Sequence, residues 1–189
     1  MKRIVGDTVS IHGITYIDQQ RRTPLDWTAT GYTPKLVIET QSGTVTLAAT
    51  SITAHPTQTF TAEADDDYLT CNGHGLESSN QIVVANSGGA LPTGLSASTR
   101  YWPINIGDNR FQLAAYAGGP AISITTDGTG TNTFYVVGSW EGTNAQASLS
   151  SLTAQIYRGW VAAYNGATQV ETAPADRMGF PIEVLAQGN

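Results

Sequence analysis

Three histidines, a single cysteine and a run of three carboxylates are the residues of this 189-residue chain whose types could do chemistry. Asp65-Asp66-Asp67 could supply half of a calcium site. That ion takes about six to eight oxygens converging across a loop. Three adjacent carboxylates point in different directions, and no EF-hand Gly and Glu follow them. A solvated turn is the simpler expectation, with Asp65, Asp66 and Asp67 kept as the metal candidates. His12, His55 and His74 stand far apart, without the paired spacing of a zinc site. His74 lies between Gly73 and Gly75, where its ring is expected to bond nearby backbone and shape a turn. Cys71 ends the alternating stretch Tyr68-Leu69-Thr70-Cys71 and has no cationic sequence neighbour to lower its pKa, so it reads as a small buried hydrophobe.

Other motifs fall short of catalysis. Ala85-Asn86-Ser87-Gly88-Gly89 lacks the first glycine of a G-x-S-x-G elbow. Gly128-Thr129-Gly130-Thr131 is followed by no Lys-Ser/Thr pair and opens no helix, so it is not a phosphate loop. Asp7, Asp26 and Asp176 could pair with any other group, and a glycosidase needs its two acids about 5–10 Å apart across a cleft, which spacing in a sequence does not show. The expectation is a protein that is not an enzyme and holds no cofactor. The aromatics point elsewhere. Trp27 and Trp160 are expected in a core. Trp102, Tyr101 and Tyr116 are the candidates for an interaction surface, a protein contact or a sugar platform, because aromatic rings supply area at low entropic cost.

Composition narrows the partners. Charged residues make up 13% of the chain and the net charge is −6, with no basic stripe. A nucleic-acid partner is therefore not expected. No run approaches the ~20 apolar residues of a membrane helix, so membrane insertion is not expected. Met1-Lys2-Arg3-Ile4-Val5 has no apolar run behind its cations and does not read as a signal peptide, which implies synthesis in the cytoplasm. One cysteine excludes an intrachain disulfide framework.

The elements that must position these residues read as strands. Two textures divide the chain: a host, 1–55 with 137–189, and an insert, 56–136. In the host, Leu36-Val37-Ile38-Glu39 is a strand that starts at an edge or after Pro34, a turn at Gln41-Ser42-Gly43-Thr44 makes a hairpin, and Asn165-Gly166 makes another. Residues 141–151 read as a soft loop. In the insert, short strands recur at Phe60-Thr61-Ala62-Glu63, Tyr68 to Cys71, Gln81 to Ala85, Arg100 to Ile106, Arg110 to Ala114 and Ala121 to Ile124. The host resumes at about Tyr135. The expected class is mostly β: an immunoglobulin-like β-sandwich carrying a small inserted β-barrel or sandwich.

Two resemblances fit these divisions. Gly6-Asp7-Thr8-Val9, Leu25-Asp26-Trp27-Thr28-Ala29-Thr30-Gly31-Tyr32, Tyr157-Arg158-Gly159-Trp160 and Arg177-Met178-Gly179-Phe180-Pro181-Ile182-Glu183-Val184 resemble the immunoglobulin-like N-terminal domain of phage upper-baseplate proteins. The stretch from Trp27 to Tyr32 is longer than the family's Leu-Thr-Gly-Tyr. Gly73-His74-Gly75-Leu76, Gly89-Ala90-Leu91-Pro92-Thr93-Gly94-Leu95, Tyr101-Trp102-Pro103-Ile104, Phe111-Gln112-Leu113-Ala114 and Gly128-Thr129-Gly130-Thr131 resemble a β module of phage tail and fibre proteins. Trp102-Pro103-Ile104 replaces that module's second Tyr and Val, which implies the loss of one ladder hydrogen bond. The resemblance implies a structural part of a tailed-phage virion, in the tail, baseplate or tail-fibre attachment, assembled in the bacterial cytoplasm. Its partners would be other virion proteins and copies of itself in a symmetric assembly. The alternatives are capsid decoration, a neck protein, or a module that binds a host-surface glycan or protein.

Overall fold

The computed structural model describes residues 2–4, 10–14, 16–18, 23–27, 31–40, 43–46, 52–143, 155–165, 168–171 and 180–185. Every named element is a strand. The chain forms two compact units, Met1–His55 with Gly138–Asn189, and Pro56–Val137.

The discontinuous unit holds β1 (Lys2–Ile4), β2 (Ser10–Ile14), β3 (Tyr16–Asp18), β4 (Thr23–Pro24), β5 (Thr33–Thr40), β6 (Gly43–Thr46) and β7 (Ile52–Ala54). After the continuous unit it adds β14 (Ser139–Thr143), β15 (Gln155–Asn165), β16 (Thr168–Glu171) and β17 (Phe180–Leu185). One sheet runs β1-β17-β15-β5-β6, with β16 also on β15, and another runs β2-β14-β7. The first strand pairs in parallel with the last, Arg3 opposite Val184. β5 and β6 pair as the turn residues predict, Ile38 opposite Val45. Pro34 sits inside β5, opposite Ala163, while β6 reaches back only to Val37. A residue without a backbone donor is tolerated where one flank of a strand has no neighbour to bond. Leu25, Trp27, Val37, Trp140 and Tyr164 are buried. Asp7, Asp176 and residues 144–151 lie outside the described residues, as does the side chain of Trp160.

The continuous unit is a closed barrel of six strands. These are β8 (Thr57–Glu63), β9 (Tyr68–Thr70), β10 (Ile82–Ser87), β11 (Arg100–Ile104), β12 (Arg110–Ala114) and β13 (Thr131–Val136). They close in the order β10-β11-β12-β9-β8-β13. Closure removes exposed strand edges. Alternation along each strand turns Phe60, Leu69, Ile82, Val84, Tyr101, Phe111, Leu113 and Phe134 into one core. Phe111 and Phe134 meet edge-to-face at 5.5 Å between ring centroids, an arrangement that adds to burial alone.

Four sequence expectations change here. Glu141 to Thr143, read as the start of a loop, complete β14, opposite His12, Ile11 and Ser10 on β2. The host does not resume at about Tyr135: the continuous unit keeps 56–136 and extends to Val137, because β13 is the barrel's closing strand, with Tyr135 opposite Thr57 on β8 and opposite Val83 on β10. Ala121 to Ile124 is not a strand. It makes one bridge, Ala114 to Ala121, and the Ile124 N–H is taken by Asp67 Oδ1 at 2.6 Å instead of by a ladder. Pro103 costs no bond to β12. Its partner Leu113 accepts from Ile122 N–H at 2.8 Å, so the polar backbone of Leu113 points away from β11. In an antiparallel pair that makes Pro103–Leu113 the non-hydrogen-bonded kind. On Pro103's other flank the pairing with β10 has already stopped at Tyr101.

Candidate interaction surface

The barrel consumes most of the residues whose chemistry the sequence advertises. His74 is 5% exposed and packs its ring edge-on against Phe111 at 5.1 Å. Leu76 N–H donates to Nδ1 at 3.0 Å, so the neutral ring carries its proton on Nε2 and donates it to the Gly107 carbonyl at 2.9 Å. Both nitrogens are satisfied, and the ring fixes residues 73–76 to the turn at 105–109. Gly73 N–H strengthens that seam by donating to Asn109 Oδ1 at 3.2 Å. Cys71 lies in the core, donates to Gln58 Oε1 at 3.3 Å, and has its thiol pKa raised by burial. The Gln58 side chain also donates to the His74 carbonyl at 3.3 Å.

The glycine-rich motifs form a clasp between residues 86–95 and 122–132. Thr129 N–H donates to the Ala90 carbonyl at 2.8 Å, and Ala90 N–H returns a bond to Thr129 Oγ1 at 3.1 Å. Asn86 Nδ2 donates to the Thr129 carbonyl and to Asn132 Oδ1, both at 2.7 Å. At Gly128 and Gly130 the backbone has φ of +75° and +74°. A Cβ there would stand 2.6 Å from the Ala90 carbonyl oxygen and 2.5 Å from that of Ser87. Only glycine allows two backbones this close in that conformation. The sequence shows the glycines. It does not show that their partners are each other.

The acidic run is a working turn. Asp66 Oδ1 accepts from Tyr68 N–H at 3.1 Å, while Asp66 Oδ2 lies 3.6 Å from an Arg110 guanidinium nitrogen. Asp67, with φ of +61°, caps Ile124 N–H. Asp127 Oδ1 accepts from Ala64 N–H at 2.9 Å and ties the same turn to the loop that leads into the neighbouring strand β13. Asp65 is exposed. No group of metal-ligating side chains occurs among the described residues.

Of the interaction-surface residues, Tyr101 is corrected. It is 4% exposed, part of the barrel core, and its hydroxyl accepts from Ser96 N–H at 2.8 Å. Alternation along β11 turns Tyr101 and Pro103 inward and Trp102 and Ile104 outward. Trp102 is half-buried, opposite Ala114 on β12. Tyr116 is 60% exposed on the loop that follows β12. Its carbonyl accepts from Gly119 N–H at 2.9 Å, and its ring lies over Gly119, where an added Cβ would be 3.1 Å away. Trp102 and Tyr116 therefore share the β11–β12 end of the barrel wall.

Sequence reasoning missed the polar network on the same wall. Asn105 Nδ2 donates to Gln112 Oε1 at 2.5 Å, and Gln112 Nε2 donates to the Asp66 carbonyl at 2.8 Å. Arg110 stacks over the Tyr68 ring at 4.3 Å. The usable signal was the alternation of Arg110 and Gln112 with Phe111 and Leu113. Comparison with protein-family models, with curated proteins and with solved structures finds no match.

Proposed function

We propose that the chain is a structural component of a tailed bacteriophage virion, in the tail, baseplate or tail-fibre attachment, acting through protein–protein interfaces. The observation that carries this reading is the use made of reactive side chains in the barrel. His74, Cys71, Asp66, Asp67 and Asp127 each hold the chain's own loops or core in place. A fold that invests its polar groups this way suits a rigid building block. The motif resemblance supplies the phage assignment. The discontinuous unit is read as an immunoglobulin-like sandwich, supported by its separate β1-β17-β15-β5-β6 and β2-β14-β7 sheets. Such a domain docks through sheet edges and end loops onto other virion proteins or copies of itself.

The test is mass spectrometry of particles assembled from a genome encoding this chain, after heads and tails are separated. Recovery in the tail fraction is expected. Recovery with heads alone would replace the tail by capsid decoration, and absence from every particle fraction would end the reading.

A further inference from the structure

We infer that the outward wall formed by β9, β12 and β11 is a binding site for an uncharged oligosaccharide. This goes beyond the assembly role and does not depend on it.

Three properties of the wall point to that ligand. The first is order. Asn105, Gln112, Asp66, Arg110 and Tyr68 form one continuous chain of contacts, each side chain held by the next or by backbone. Side chains fixed beforehand lose little freedom when a flexible ligand settles on them. The second is charge. Arg110 is answered by Asp66 at 3.6 Å, and Glu63 on the next strand is bonded to Thr70 Oγ1 at 2.5 Å. The wall therefore offers amides and hydrogen-bonding carboxylates beside an ion pair closed on itself, matched to hydroxyls and not to an anion. The third is the apolar border. Trp102 and Ile104 face outward on β11, Ile104 opposite Gln112 of the network and Trp102 opposite Ala114, with Tyr116 two residues beyond Ala114. Flat rings beside flat amides match a sugar, whose ring presents C–H groups on its faces and hydroxyls around its rim. β9 borders β12 at Arg110 and Phe111 and β11 borders it from Gln112 to Ala114, so the wall runs diagonally along about 13 Å of β12, room for a short oligosaccharide.

The test uses the full chain against immobilised neutral oligosaccharides, two to six units of glucose, galactose, mannose or N-acetylglucosamine. Binding to at least one probe is expected. Trp102→Ala, and separately the exposed-side change Asn105→Ala with Gln112→Ala, should each weaken it at least tenfold. Thr59→Ala, on the outward side of β8, should leave it unchanged. Circular dichroism melts of each variant identify any that fail to fold, and the amide pair keeps the test decisive if Trp102→Ala does fail. No binding to any probe, binding unaffected by the wall variants, or a wall that takes only acidic saccharides or a protein would overturn the inference.

Discussion

Replacing Gly128 by alanine separates two demands that one glycine meets. The first is conformational: a φ of +75° costs an L-residue about 1–2 kcal/mol. The second is spatial. The new Cβ would meet the Ala90 carbonyl oxygen at 2.6 Å and the Pro92 nitrogen at 2.7 Å. Both belong to backbone and cannot rotate aside. The clasp must open, which strains packing by about 1–3 kcal/mol and weakens the Thr129–Ala90 bond, worth about 0.5–1.5 kcal/mol. Gly88 is the control. It has φ of +76° in the same clasp, with nothing within 4 Å of its added Cβ. Gly88→Ala therefore carries only the conformational cost. Alanine also restricts the unfolded chain equally in both variants, so that effect cancels in the comparison. Gly128→Ala should lie about 2–4 kcal/mol below Gly88→Ala. Urea titration followed by the NMR signals of Leu69 and Val84 reads the barrel alone. Equal losses in the two variants would refute the backbone-contact reasoning.

Further outcomes follow from the same contacts. Burial raises the Cys71 pKa above its ordinary 9.0, so its contribution is present below that value and lost as pH rises through the raised folded pKa; urea midpoints at pH 8 and 10 should differ more in the wild type than in Cys71→Ala. His74→Ala leaves the Gly107 carbonyl and Leu76 N–H without their partners and should cost about 2–4 kcal/mol by denaturant titration. Tyr101→Phe should cost about 1 kcal/mol through the Ser96 N–H it orphans. Tyr116→Ala should stay within about 0.5 kcal/mol of wild type, and calorimetry of the pair checks both.

The β class was readable from alternation, and the strand at Arg110 to Ala114 was readable residue by residue. Period-two patterning names two faces of a strand without saying which is inside. At Tyr101-Trp102-Pro103-Ile104 both faces are apolar, and the barrel settles the matter by burying Tyr101 with Pro103. Ala121 to Ile124 has strand-forming residues, yet Asp67 competes for its backbone from 57 positions away. Gly128 and Gly130 announce unusual backbone, but the close approach to Ser87 and Ala90 is a property of the folded pair. The wall network escaped for the same reason: Asn105, Gln112 and Asp66 become neighbours only through register.

β8 and β13 pair with Thr57 opposite Tyr135, so the barrel's entrance and exit are side by side. In the other unit Ala54 lies opposite Trp140, and His55 N–H donates to the Ser139 carbonyl at 2.9 Å. Each unit thus presents its two cut ends as a matched pair. A genome could acquire or discard the segment from Pro56 to Val137 at a single junction, as a cassette, and the recipient chain would keep its own path.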